Sequence, residues 1–230
     1  MQTIYEGAAY SENNPTWHEE DSPWKANHIR RIISDNDIPH ARICEVGCGV
    51  GSILTNLEKC FPESSLTGYE ISPYAFSKAK TRETDRTKFH FGEAASNGDA
   101  TFDVTLIIDV IEHVEDYIAF LKKLKPLGTY KVLHIPLDLS VQSVFRISPI
   151  LGQRNGVGHI HYFFKELALA ALKDCGYEVI DHRYTASRLE LPNQALSSRI
   201  MRWPRRLLYA MSPDLAVRVV GGYSLLVLAR

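Results

Sequence analysis

The chain has 230 residues, a formal net charge of −1, 45% apolar residues and 23% charged residues. That is enough for one large α/β domain with its own core, read here as a single domain over residues 1–230, and nothing in the charge balance favours nucleic acid or an anionic membrane. The polar N-terminus lacks a signal-peptide pattern, and no apolar run reaches the length of a membrane span. Cys44, Cys48, Cys60 and Cys175 form no CxxC pair, which fits reduced thiols in a cytoplasmic protein.

Residues 1–35 are expected to form an N-terminal lid and helix. Asn13-Asn14-Pro15 marks a turn. Asp21 or Ser22 then caps a helix with Pro23 at its first position, running through Trp24, Ile29 and Ile32 to about Ser34, with Trp24 anchored in the core. A first strand covers about Arg42–Val46, and Ile53, Leu54 and Leu57 lie at helical spacing after it. Leu66–Glu70 is a second strand, Ser72-Pro73 starts a helix through about Lys80, and Lys88–Phe91 alternates as a third strand. Thr101–Ile108 is almost continuously apolar, the mark of a strand buried on both faces. A helix over about Val114–Leu124, a strand over Tyr130–Ile135, a helix over Phe164–Cys175 closed by Gly176, and strands over Tyr177–Tyr184 and Tyr223–Ala229 complete the pattern. Strands alternating with helices imply a mostly parallel sheet covered on both faces, and the last two strands allow an antiparallel edge. The link Gly92–Ala100 is short for a crossover helix, whereas residues 191–222 are long for a hairpin and are expected to carry a helical insert.

The chemistry concentrates after the strands. In Glu45-Val46-Gly47-Cys48-Gly49-Val50-Gly51, three alternate glycines let the backbone turn sharply and approach a ligand, and the helix that follows offers unpaired N–H groups. A dinucleotide fingerprint would place its third glycine where Ser52 stands, and Glu45 beside the turn repels a pyrophosphate while suiting a cationic ligand. Glu70 ends the second strand, where an acid accepts from ribose hydroxyls; Ile71 follows it and suits an adenine face. Glu93 and Ala94 follow the third strand. Asp109-Val110-Ile111-Glu112-His113-Val114 follows the fourth, with Glu112 read as compensating the dipole of the next helix. His159 and His161 alternate, so an extended backbone points both to one side; no acid close by in sequence completes a metal site with them, and no metal is expected.

The E-x-G-x-G-x-G turn, Glu70 and the D-V-I-E-H-V stretch, in this order and register, resemble class I S-adenosylmethionine (SAM) methyltransferases, in particular the small-molecule branch of the ubiquinone-biosynthesis type. The resemblance covers about Lys25 to Arg230. It implies a Rossmann-like seven-stranded sheet of order 3-2-1-4-5-7-6 with strand 7 antiparallel. It also implies SAM as methyl donor and S-adenosylhomocysteine (SAH) as product. On it, Glu45, Gly47, Cys48, Gly49, Gly51, Glu70, Ile71, Glu93, Ala94, Asp109, Val110 and Trp17 are the expected cofactor residues, with Glu93 at the adenine amino group and Trp17 and His18 in a lid. His161, or else His113, would take a proton from a hydroxyl acceptor. The acceptor is expected to be a small or carrier-linked metabolite. Arg199, Arg202, Arg205 and Arg206 interleave with Ile200, Met201, Trp203, Leu207 and Leu208; this reads as a helical insert over the sheet edge, or as a peripheral platform for a lipid-linked or anionic acceptor, with Pro204 arguing against one long helix. A nicotinamide-dependent oxidoreductase and a non-catalytic SAM-binding relative are the alternatives. Nothing speaks to oligomeric state.

Overall fold

The computed structural model describes residues 16, 17, 19–94, 102–191 and 202–230. The turn at Asn13–Pro15, His18, most of the third-to-fourth strand link and the first part of the insert, including Arg199 and Ile200, lie outside the described residues. Seven strands form one sheet: β1 (Arg42–Val46), β2 (Ser65–Glu70), β3 (Thr87–Phe91), β4 (Phe102–Ile108), β5 (Gly128–Leu137), β6 (Val179–Thr185) and β7 (Tyr223–Ala229). Their order is β3-β2-β1-β4-β5-β7-β6. The pairs from β3 to β5 are parallel, and β7 runs antiparallel to both β5 and β6.

Among the described residues the helices are α1 (Ser22–Asp35), α2 (Ser52–Cys60), α3 (Pro73–Lys80), α4 (Tyr117–Leu124), α5 (Val141–Arg146), α6 (Ser148–Gly156), α7 (Lys165–Asp174), α8 (Ser187–Glu190), α9 (Arg202–Met211) and α10 (Pro213–Val220). The two-residue period of the strands sorts the core into two layers. Val104, Leu106 and Ile108 of β4, with Leu226 and Leu228 of β7, meet Ile29, Ile32 and Ile33 of α1 and Leu54 and Leu57 of α2. Ile107 of β4, with Leu225 and Val227 of β7, meets Leu121 of α4, Leu172 of α7 and Val217 of α10.

Three local expectations are corrected. Asp21 makes no side-chain cap bond to α1. Trp24 is half-buried and not in the core; Ala26, Ile29, Ile32 and Ile33 do the anchoring. Glu112 and His113 do not begin a helix: Ile111–His113 is a 3₁₀ turn, and α4 starts at Tyr117, where Asp116 accepts from the Ala119 N–H at 2.9 Å. Helices α5 and α6 were not foreseen. The insert does hold helices. Pro204 falls in the first turn described for α9, where a missing N–H costs little, and α9 buries Arg205 while leaving Trp203, Leu207 and Met211 exposed.

Candidate active site

The glycine turn is pinned to the end of β2. The N–H groups of Gly47 and Cys48 both donate to the Tyr69 carbonyl, at 2.9 and 3.0 Å. Gly49 has φ +55, and a Cβ there would face the Trp17 ring at 3.7 Å. Gly51 has φ +81, and a Cβ would fall 2.6 Å from the Phe89 ring, so both conformation and space demand glycine. The Gly49 N–H donates to Glu70 Oε2 and the Ser72 N–H to Glu70 Oε1, each at 2.7 Å. An amide that a phosphate-binding loop would offer its ligand is thus held by a carboxylate of the chain itself. Burial raises the Glu70 pKa although these amides oppose the shift.

Two more acids meet at this strand end. Glu45 is buried, and its Oε2 has no hydrogen-bond partner. Burial pushes its pKa well above the usual carboxylate range; Lys25 opposes this, and the charges of Glu70 and Asp109 add to it. Asp109 sits at φ +54 directly after β4. Its Oδ1 is 2.5 Å from His134 Nδ1 and its Oδ2 2.7 Å from Lys25 Nζ. Burial alone would raise the Asp109 pKa, but His134 and Lys25 outweigh it and hold the carboxyl well below its ordinary value. In turn, Asp109 holds the Lys25 ammonium above its ordinary pKa against burial.

Lys25 and His134 were missed in the sequence. His134 carried a signal: it is a titratable residue inside the apolar run Val132–Leu137, in β5 register opposite Ile108. The Trp24 indole N–H donates to Glu190 Oε2 at 2.5 Å, and its ring stands edge-on to His28 at 4.8 Å. Glu190 also lines a cavity with Leu189, Arg202, Arg206 and Tyr209 on the insert side.

Ile71 is 41% exposed at the end of β2, leaving an apolar face open there. Ala94 is buried, and Val110 lies against Gly47, whose added Cβ would stand 3.0 Å from Val110 Cγ2. Cys44 and Cys48 are buried free thiols. The Glu93 carboxylate is exposed after β3 and pairs with Lys123 of α4 at 2.6 Å.

Beyond Asp109, the segment 158–161 is strapped to the 3₁₀ turn. The N–H groups of Ile160 and His161 donate to the Glu112 carbonyl at 2.8 and 3.1 Å. The two alternating histidines part company. His159 is buried and donates from Nδ1 to Asp138 Oδ2 at 2.6 Å. His161 donates from Nε2 to the carbonyls of Val114 and Glu115, at 2.9 and 3.1 Å. A carbonyl only accepts, so Nε2 of His161 carries the proton, and the base expected there has that nitrogen committed. His113 donates from Nδ1 to the Gly158 carbonyl at 3.2 Å, and its ring stands edge-on to His159 at 4.9 Å. Burial first, then the His159 charge, lowers the His113 pKa to about 4. Glu112, expected to face a helix dipole, is wholly buried; its side-chain oxygens have no hydrogen-bond partner. An acid that is distant in sequence comes close in space: donor atoms of Glu112, His113 and His159 lie within 4.8 Å of one another.

A methyltransferase domain model matches residues 17–182. The chain belongs to this SAM-dependent methyltransferase family. Solved structures agree on the fold. A chain of the Haloferax volcanii complex between a methyltransferase activator and a putative methyltransferase is 13% identical, with a TM-score of 0.68 over 100% of this chain and 98% of that one. The magnesium protoporphyrin IX methyltransferase of Synechocystis, solved with bound SAH, is 18% identical, with a TM-score of 0.60 over 90% of this chain and 82% of that one. The [4+2]-cyclase SpnF is 16% identical, with a TM-score of 0.57 over 88% and 80%. That last likeness shows that the scaffold alone does not fix the chemistry. Family membership, with three acids gathered around the glycine turn, leaves the nicotinamide reading without support. Among the described residues no helix is long and apolar enough to cross a membrane.

Proposed function

We propose that this methyltransferase transfers the SAM methyl group to a hydroxyl oxygen of a small or carrier-linked acceptor. The observation that carries the cofactor side is the buried Glu45 Oε2, an acceptor with no donor, at the edge of a glycine turn whose amide is already taken by Glu70. Such a site rejects a phosphate and fits an ammonium. When bound, SAM supplies an electrophilic methyl on a sulfonium.

The chain's own work is then positional. Glu45 holds the amino group, Glu70 the ribose hydroxyls, Ile71 one face of the adenine, and Trp17 closes over Gly49. Asp109, fixed by Lys25 and His134, orients the methionine end. The leaving group is neutral, so alignment and exclusion of water carry most of the acceleration. The hydroxyl preference rests on His113, whose Nδ1 is occupied as a donor, so that Nε2, 3.8 Å from Glu112 Oε1, is the unprotonated nitrogen.

Calorimetry with SAM and SAH tests the cofactor half; absence of heat with both at millimolar concentration sinks it. Mass spectrometry of products from a panel of phenols, sugar hydroxyls, carboxylates and amines tests the acceptor half. Methylated amines alone would overturn the hydroxyl assignment. SAM binding without turnover of any panel member would favour the non-catalytic reading.

A further inference from the structure

We propose that Glu112, His113 and His159 form a binding site for one divalent transition-metal cation on the acceptor side of the crevice. The donor atoms of the three lie within 4.8 Å of one another. Ligands about 2.1 Å from a common ion stand roughly 3 Å apart at right angles and about 4.2 Å apart across it. Small side-chain rotations therefore bring all three into coordination. Glu112 and His113 adjoin in the 3₁₀ turn, and the Glu112 carbonyl accepts from Ile160 and His161, so the segment carrying His159 is fastened to the same turn.

The outer contacts are those that a metal-binding histidine needs. His113 donates from Nδ1 to the Gly158 carbonyl, and His159 donates from Nδ1 to Asp138 Oδ2. Each contact fixes the tautomer that leaves Nε2 with a lone pair, and the carboxylate behind His159 raises its basicity as a ligand. Asp138 is itself positioned: its carbonyl accepts from Ser143 Oγ at 2.6 Å.

Glu112 supplies the independent argument. Its side chain is wholly buried, and neither carboxylate oxygen has a hydrogen-bond partner. A buried carboxylate without a partner is among the costliest groups in a core. Protonation would remove the charge, but the single hydroxyl could serve one imidazole at most, such as His113 Nε2, 3.8 Å from Oε1. A dication between Glu112 and the two imidazoles gives the carboxylate a partner and draws all three donor groups to one point.

Two imidazoles and one carboxylate suit Co²⁺, Zn²⁺, Fe²⁺ or Mn²⁺ better than Mg²⁺ or Ca²⁺, which favour oxygen ligands throughout. Three protein ligands leave coordination positions open. On the methyl-transfer reading, on which this consequence alone rests, an open position takes the acceptor's hydroxyl oxygen and lowers the pKa of its proton, and the ion then replaces His113 Nε2 as the group that activates the hydroxyl.

The test is a Co²⁺ titration of the purified chain without SAM, read by visible d–d absorption and by calorimetry. One ion per chain at micromolar affinity is expected. Glu112→Gln and His159→Ala should each weaken binding by at least tenfold, and Asp138→Asn by about tenfold through loss of orientation. His161→Ala should leave binding unchanged. Zn²⁺ should raise the melting temperature of the wild type but not that of Glu112→Gln, which a loss of fold cannot mimic. No ion bound by the wild type, or equal binding by Glu112→Gln and His159→Ala, overturns the site. Calorimetry with SAM on the same metal-free protein reads the methyl-transfer proposal separately, so either can fail alone.

Discussion

The two halves of the crevice are built by different means. On the β1–β2 side, the groups proposed to face SAM come from short consecutive stretches: the glycine turn, Glu70 with Ile71, and Asp109 after β4. Each is placed by the end of one strand, and backbone bonds from Gly47 and Cys48 to Tyr69 lock neighbouring ends together. On the β5–β6 side, the groups come from far apart in the chain. Lys25 arrives from α1, His134 from β5, Glu190 from α8 and His159 from a loop held on the 3₁₀ turn. The first half is a preformed seat whose geometry follows from strand termini. The second is an assembly of side-chain pairs, free to vary while the sheet stays the same. A fold that serves one cofactor and many acceptors would be divided in this way.

The sharpest way to break the contrast is Gly49→Val. A β-branched side chain at φ +55 costs about 1–2 kcal/mol in backbone strain, and it fills the space under Trp17. The expected result is loss of SAM binding by more than about a hundredfold, with a fold still intact by circular dichroism. A variant that binds SAM normally would show that the turn is structural only.

Next in size is Asp109→Asn. Asn tolerates positive φ, so the change removes charge and little else. It leaves the Lys25 ammonium buried without its anion, a loss of about 3 kcal/mol. The sign with pH follows from a folded pKa held below the unfolded one. Asp109 stabilises the fold above its unfolded pKa, and this contribution fades as pH falls through the folded value. The gap between wild type and variant in urea denaturation should be full at pH 7 and shrink below about pH 4. A gap independent of pH would sever Asp109 from the ion pair.

The same half-to-half contrast explains what could be read before the structure was seen. Strand ends that carry Glu45, Glu70 and Asp109 are legible because period-two burial and the residue after the strand are local properties. The sheet order followed from the family resemblance rather than from periodicity. The Asp109–His134–Lys25 triad was not legible, because its members meet only when β5 and α1 are laid beside β4. Helices α5 and α6 escaped because Ile147, at φ +58, separates two short pieces that leave no sustained period. Glu112 was misread for a related reason: an acid before a helix looks like dipole compensation unless the intervening 3₁₀ turn is known.

Glu45→Gln should act in the opposite direction to Asp109→Asn. The folded pKa of Glu45 lies above the unfolded one, so ionisation at rising pH works against the fold. Removing that charge should stabilise the ligand-free chain by roughly 1 kcal/mol at neutral pH, seen as about 2–4 °C in melting temperature. The gain should vanish below about pH 4, where a free carboxyl is protonated anyway. SAM affinity should fall, since the amino group loses its anion. A variant both less stable and unchanged in SAM affinity would remove Glu45 from the cofactor seat.

The smallest stability effect belongs to the acceptor half. Phe145 on α5 is 90% exposed, with Val141 and Val144 also exposed on the same short helix. A side chain that gives up no water contributes nothing by burial, so Phe145→Ser should change stability by less than about 0.5 kcal/mol. Helix α5 keeps its own start, because the reciprocal Ser140–Ser143 capping box is untouched. SAM affinity should also stay constant, since α5 packs mainly on α6 and α10. If this helix forms part of the acceptor surface, the change appears in one place only, as a higher KM for the acceptor with KM for SAM unaltered. A fall in melting temperature of several degrees would show instead that α5 is packed in solution, and would move the acceptor surface to the α8–α9 side of the crevice.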